Sequence, residues 1–375
     1  MKVVINALSA RLGGGQTYLS NLLRFLPIDD RDEILIFATP SLKLPAERAN
    51  IKRVSTSWPV ENPFSRTIWE SVYLPKLLLE LKADVLFCPG GVVNSRPTTR
   101  CKIVTMFRNM IPFDLSQRKR YPLGYMRVRN WILQRSMLQS MKRADLVIFI
   151  SKFARKVIEE HAPGCIKKAV IIPHGINSEF RVDDNCPLPR PSWLPKEDYF
   201  LYVSTLDFYK AQLEVVRGYA KLKQHRKIRE KLILAGSENP LYGRKVRNEI
   251  AQLGLQNDVL ITGAIPYNEL PSVYQHAFIN IFASESENCP NILLEALAAR
   301  RPLIVSNRPP MPEFGGEAVL YFDPTSFNDL AHKLAFVLDN PACINELSFK
   351  AEKRALLYDW NITAQCTWDA IKGVA

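Results

Sequence analysis

Apolar residues are bunched along this chain in short, almost unbroken runs. They fall at 3–7, 34–38, 84–88, 102–106, 144–150 and 169–173 in the first half, and at 199–204, 232–235, 259–262, 279–283, 303–305 and 318–322 in the second. A strand with one wet face alternates apolar and polar residues. An unbroken run belongs to a strand buried on both faces, as in a parallel sheet covered by helices. The stretches between the runs have room for those helices. They are expected up to Phe25, after Ser151 (whose hydroxyl suits an N-cap), from Gln212, around a core Tyr274, over 291–299, and from Trp360 onward. Pro290 fits the first turn of the 291–299 helix, where a missing N–H costs nothing. Pro309-Pro310-Met311-Pro312-Glu313 reads as a rigid turn. Strand–helix units recur and no hairpin signal is found, so the architecture is α/β rather than antiparallel. A chain of 375 residues suggests two domains, and the Pro- and Asp-rich segment 183–196 is the expected linker.

Composition narrows the setting. At 47% hydrophobic the chain can fill substantial cores, and no apolar run approaches the roughly 18 residues needed to span a bilayer. The first residues run directly into a strand without a signal-peptide pattern. Seven scattered cysteines without a CxxC suit free thiols in a reducing cytosol. Charge adds more. Of a net +13, nearly all comes from residues 100–156, which hold fourteen Lys and Arg against two acids, Asp114 and Asp145. Nucleic acid and an anionic membrane are the partner classes such a stretch allows. No nucleic-acid-binding motif is recognised, so no nucleic-acid partner is expected. Over 123–141, Tyr125, Val128, Trp131, Ile132, Met137, Leu138 and Met141 alternate with Arg127, Arg129, Arg135 and Lys142. This reads as a basic amphipathic helix, either a solvated surface helix or one lying in a membrane interface.

Candidate chemistry gathers at 279–307. The strand at 279–283 is followed by the polar loop Ser284-Glu285-Ser286-Glu287-Asn288-Cys289, and then by the helix carrying Asn291 and Glu295. A helix start with open N–H groups is a ready site for a diphosphate. Two glutamates in an E-x7-E pair, within SESENCPNILLEA and followed by a Pro-led strand, resemble the retaining glycosyltransferases of family 4, the group 1 glycosyl transferases of GT-B fold. The runs ADLVIFIS, IIPHGIN and the Phe180 that follows match the family's end of the first domain. The resemblance implies two Rossmann-like domains facing across a cleft. They are 1–182 on the acceptor side, joined by a final helix 360–375 that crosses back, and 183–359, which binds the nucleotide sugar.

The resemblance also assigns residues. Glu295 would hold the nucleotide ribose, Glu287 would lie beside the donor sugar, and Asn288 and Asn291 would join the donor-binding set. Lys210 would meet the donor diphosphate. Gly236, Gly263 and Ile265 belong to turns of which the second frames the base. Gly14 and Gly15, in the loop Arg11-Leu12-Gly13-Gly14-Gly15-Gln16-Thr17, would face the diphosphate and acceptor. By itself that loop reads equally as a tight strand–helix turn, since it is not the dinucleotide fingerprint. Arg108 and Asn109 stand where the family often has His-Asp. Arg108 suits a phosphate or acidic acceptor and Asn109 a hydroxyl, and both also suit a polar loop cap. His174 reads as structural or hinge. Three departures stand out: the missing His, Ser204-Thr205 near the position of a family Arg, and Arg300 in place of a Gly that would end the helix.

The implied function is transfer of a sugar from a nucleotide-diphosphate sugar, with retention, to a glycan in cell-surface polysaccharide or lipopolysaccharide assembly. Neither metal nor cofactor is implied. Asp30-Arg31-Asp32, a D-x-D, lies at the amino end of a strand, away from where ligands gather, and reads as a solvated loop. The basic stretch adds a lipid-linked acceptor and a peripheral position on the inner face of the cell membrane. A nucleotide-sugar epimerase of the same fold and a catalytically weakened nucleotide-sugar-binding subunit remain as alternatives.

Overall fold

The computed structural model describes residues 1–10, 14–27, 29, 31–45, 47–97, 100–120 and 124–375. Two compact units make up the chain, Met1–Gly175 with Trp360–Ala375, and Ile176–Asp359. The chain thus leaves the first unit at Gly175, ahead of the expected 182. Arg11, Leu12 and Gly13 of the glycine loop, Asp30 of the D-x-D and Leu123 lie outside the described residues.

The first unit holds a seven-stranded parallel sheet. Its strands are β1 (Lys2–Asn6), β2 (Glu33–Phe37), β3 (Ile51–Arg53), β4 (Val85–Cys88), β5 (Lys102–Phe107), β6 (Leu146–Phe149) and β7 (Ala169–Ile171), in the order β3-β2-β1-β4-β5-β6-β7. Central runs such as Val3-Val4-Ile5 and Val85-Leu86-Phe87 are buried throughout. Only Ile51 of edge strand β3 is buried, beside exposed Lys52 and Arg53, so no apolar run announces it. Helix Trp360–Lys372 packs on helix Gly14–Phe25, with the Trp360 and Tyr18 rings 5.9 Å apart. Asp32, expected to be solvated, is buried and pairs with Lys372 Nζ at 3.2 Å and with the amino terminus at 3.1 Å.

Helix Tyr125–Arg143 corrects its expected amphipathicity. Its inward face is Asn130, Met137, Ser140 and Met141, while Tyr125, Val128, Trp131 and Ile132 are exposed beside Arg129 and Arg135. The periodicity placed apolar and basic residues on a helix, but packing turned four of the seven apolar ones outward.

A six-stranded parallel sheet forms the second unit. It contains β8 (Tyr199–Val203), β9 (Lys231–Ala235), β10 (Val259–Gly263), β11 (Ile279–Phe282), β12 (Leu303–Ser306) and β13 (Leu320–Phe322), in the order β10-β9-β8-β11-β12-β13. The expected linker is packed onto this unit: Leu194 is buried, Ser272 Oγ donates to the Pro189 carbonyl at 2.6 Å, and Asp184 pairs with Arg300. Met311–Gly315 is a short helix where a turn was expected. Strand order reverses between β1 and β4 in one sheet and between β8 and β11 in the other. In open α/β sheets the carboxyl ends at such a reversal are where ligands bind.

Helix Asn291–Ala298 begins where expected, with Pro290 at its N-cap rather than in its first turn. At its other end Arg300 itself adopts the left-handed conformation (φ +53°), so the helix ends by the usual backbone route without the usual glycine. Its guanidinium reaches Asp184 at 2.8 Å and Glu352 at 3.3 Å, ion pairs that a glycine would lack. A left-handed non-glycine residue costs roughly 1–2 kcal/mol, and exposed ion pairs return at most about 1 kcal/mol each. Arg300→Gly is therefore expected to unfold at nearly the wild-type temperature. Arg300→Ala keeps the backbone cost and loses the pairs, so it should be about 1 kcal/mol less stable than the glycine variant. Equal melting temperatures for the two variants would mean that the backbone stores no strain there.

Candidate functional site

In the second unit the loops after β8 and β11 carry the first group. Asp207 takes the Phe208 N–H at 2.8 Å and opens a single turn, Phe208–Lys210, before Ala211 (φ +53°) redirects the chain into helix Gln212–His225. That geometry sends Lys210 inward. It is only 6% exposed, its carbonyl accepts from the Tyr202 hydroxyl at 2.8 Å, and its ammonium lies 4.8 Å from the Tyr209 ring centroid. Lys210 Nζ donates to Glu287 Oε1, and Glu285 N–H donates to the Tyr209 carbonyl at 2.8 Å. The two loops are thus fastened at the strand reversal by one ion pair and one backbone bond. Both charges are largely out of water, so each depends on the other for compensation.

Glu295 projects from helix Asn291–Ala298 four residues after Asn291, on the same face. It is buried, and that burial raises its carboxyl to about 8. The opposing influence is one hydrogen bond, from the Tyr267 hydroxyl to Oε1 at 3.0 Å. Tyr267 in turn accepts from Asn177 Nδ2 at 3.3 Å. Asn288 is buried, and Ile265 is partly buried against the core.

Gly236 N–H donates to the Gly263 carbonyl at 2.8 Å, bringing together the turns after β9 and β10. Gly236 (φ +149°) also lies against the loop after β8, where a Cβ would come within 2.2 Å of the Ser204 carbonyl oxygen. Only glycine leaves room for backbone this close. Three backbone loops therefore converge beside the reversal.

The first unit assembles a separate group. Arg108, after β5, donates to the Gly14 carbonyl, and its guanidinium lies 4.9 Å from the Tyr18 ring centroid. The other guanidinium amine lies 3.8 Å from where a Cβ on Gly15 would stand. Asn109 Oδ1 accepts the Ile111 N–H at 3.2 Å, the loop-cap role. His174 is buried between Tyr18 and Trp360, at ring distances of 5.1 and 5.8 Å, a packing position.

Tyr267 and Asn177 were missed from sequence, as was a second polar cluster. Glu70, buried on helix Pro63–Val72, accepts from Asn6 Nδ2 at 2.9 Å and Asn94 Nδ2 at 2.6 Å. The available signal was Asn6, a polar residue closing the apolar run of β1 at its carboxyl end.

Residues 12–180 match the profile described as Glycosyltransferase Family 4, and residues 189–355 match that described as Glycosyl transferases group 1. The chain is a group 1, family 4 glycosyltransferase. Two Escherichia coli relatives are an O-antigen chain mannosyltransferase B, 23% identical over 62% of this chain and 62% of its own length, and a serotype-specific mannosyltransferase WbdA, 24% identical over 70% of this chain. The glycosyltransferase spans less than two thirds of the first and 32% of the second.

Solved structures similar to this glycosyltransferase include a glycosyltransferase from Rickettsia africae (18% identity, TM-score 0.74, covering 100% of this chain and 98% of the other). Anabaena HepE in complex with UDP-glucose (13%, 0.72) and WaaG, a glycosyltransferase involved in lipopolysaccharide biosynthesis (14%, 0.72), each match over 100% of both chains. These likenesses show the fold, which is GT-B.

Proposed function

We propose that this glycosyltransferase transfers a hexosyl group from a nucleotide-diphosphate sugar, with retention and without a metal ion, to a lipid-linked glycan in cell-surface polysaccharide or lipopolysaccharide assembly. The observation that carries the reading is the largely buried Lys210–Glu287 pair at the β8/β11 reversal, with Glu295 on the helix that follows. The bond from the sugar's anomeric carbon to the diphosphate breaks, and the nucleoside diphosphate leaves with the electron pair. The acceptor oxygen bonds to that carbon on the same face and its proton passes to the leaving phosphate. Lys210 and the N-terminus of helix Asn291–Ala298 stabilise the charge that develops on the diphosphate, which makes a metal unnecessary. Glu287 orients the sugar and Glu295 accepts the ribose hydroxyls, while Asn288, Asn291 and the Gly236 and Gly263 turns with Ile265 complete the donor site. Gly14, Gly15, Arg108 and Asn109 serve the acceptor side. The named activities of the Escherichia coli relatives support a hexose and a surface polysaccharide.

No helix among the described residues is long and apolar enough to cross a membrane. The basic run and the exposed Tyr125, Val128, Trp131 and Ile132 of helix Tyr125–Arg143 support peripheral binding instead, with the Arg135 guanidinium 3.7 Å over the Trp131 ring. Each basic residue near an anionic surface adds about 1 kcal/mol.

Incubation with GDP-mannose or UDP-glucose, an extracted lipid-linked glycan and EDTA should release nucleoside diphosphate and extend the glycan, with the donor's anomeric configuration kept. Binding without release would leave a binding subunit, and epimerised donor an epimerase. Vesicle co-sedimentation should show capture by anionic but not neutral lipid, weakening as salt shortens the roughly 10 Å screening length found at 0.1 M. Equal pelleting with both lipids would remove the membrane role.

A further inference from the structure

We infer that Tyr267 is a positioning residue for donor binding: its hydroxyl, held by Asn177, fixes the Glu295 carboxylate in its ribose-accepting form and so sets the pH range over which the donor binds. The inference rests on the reading of Glu295 as the ribose ligand.

The geometry is directional. Asn177 Nδ2 donates to the Tyr267 oxygen at 3.3 Å, which leaves the Tyr267 proton for Glu295 Oε1 at 3.0 Å. The Tyr267 ring packs against Phe180 at 5.3 Å, so the same short segment supports both the ring and its hydroxyl. A carboxylate oxygen accepts two hydrogen bonds, so Oε1 can keep Tyr267 while Oε2 and the remaining lone pair of Oε1 take two ribose hydroxyls. A protonated carboxyl would spend one oxygen as a donor and lose that fit.

Burial pushes the Glu295 carboxyl up, to about 8 with the Tyr267 bond already in place, and that bond is what favours its charged form. The other groups near it give no such help. Tyr274, of the neighbouring helix Leu270–Gln275, is a buried phenol held neutral by burial and by Glu295 itself, and Glu179 faces Tyr267 with a negative charge. On the helices packed against Asn291–Ala298, Glu352 is engaged by Arg300, and Arg354 donates to the Phe314 and Glu313 carbonyls. Tyr267 is therefore the group through which the ionisation of Glu295 is controlled.

The test is nucleotide affinity, with UDP and GDP as probes, measured calorimetrically between pH 6.5 and 9 for wild type, Tyr267→Phe and Glu295→Gln. Wild-type affinity should climb as pH passes through about 8, and Glu295→Gln should be weaker and flat. Tyr267→Phe keeps the ring on Phe180 and removes one hydrogen bond to a charged group, a loss that moves the rise upward by about one pH unit. Its affinity should fall about tenfold at pH 7 and only about twofold at pH 9. Proton release on binding, read from buffers of different ionisation enthalpy, should shift in step. A Tyr267→Phe loss that is equal at every pH, or no loss, would overturn the inference. Glu295→Gln with wild-type affinity and pH profile would instead overturn the ribose assignment beneath it.

Discussion

Lys210→Ala is expected to lower turnover at saturating donor by roughly 100-fold or more, the scale for removing one preorganised group aimed at developing charge. The expectation follows from where the ammonium is held. The residue is nearly out of water, its backbone carbonyl held by the Tyr202 hydroxyl and its ammonium by Glu287, so it meets a leaving diphosphate without first reorganising. The substitution has a structural cost as well, because it strands a largely buried Glu287 carboxylate, a loss that reaches about 3–5 kcal/mol for buried pairs. A Lys210→Met, Glu287→Gln double variant separates the effects. It removes both charges and should recover most of the stability while turnover stays low. Near-normal turnover in a folded Lys210→Ala protein would end the role proposed for this lysine.

Glu295 carries the second large effect, and here function and stability should move in opposite directions. Glu295→Ala is expected to weaken nucleotide binding by tenfold or more, since a carboxylate accepting two hydroxyls gains roughly 1.5–3 kcal/mol per bond. Stability follows the opposite course. The folded carboxyl titrates near 8 against an unfolded value near 4.5, so between those values the folded state holds more protons than the unfolded state. Stability of the ligand-free protein should therefore fall as pH rises through that window. Glu295→Gln keeps the Tyr267 bond and cannot ionise. It should flatten this slope and add roughly 2–3 kcal/mol at pH 7, while losing the nucleotide. Denaturant midpoints across pH 5–8.5, set beside calorimetric affinities, check both halves. A Gln variant that binds like wild type would remove Glu295 from the site, and an unchanged pH slope would show that its burial costs nothing.

The strands were legible because parallel strands are buried on both faces, and burial on both faces demands apolar residues at every position. That holds for Val3–Ile5 and for Val85–Phe87, and it fails for Ile51-Lys52-Arg53, where an edge leaves two residues in water. Lys210, Glu287 and Glu295 were named from the resemblance to family 4 rather than from any periodicity. What chain direction adds is that loops after such strands gather at one end of the sheet, where the Lys210 and Glu287 loops meet.

Sequence by itself determined the class of element, the alternation of strand and helix, the charge asymmetry and the residues of the E-x7-E pair, because each is a local property of neighbouring side chains. Which residues meet was decided only by tertiary structure. Tyr267 reaches Glu295 across 28 residues because β10 and β11 bring their loops to the same end of one sheet, and nothing in PYNEL announces it. Packing likewise turned Trp131 and Ile132 outward, drew Asp32 onto Lys372, and set Arg300 in a glycine's conformation. In each case the free energy comes from a partner distant in the chain, and a periodicity within one segment carries no record of that partner.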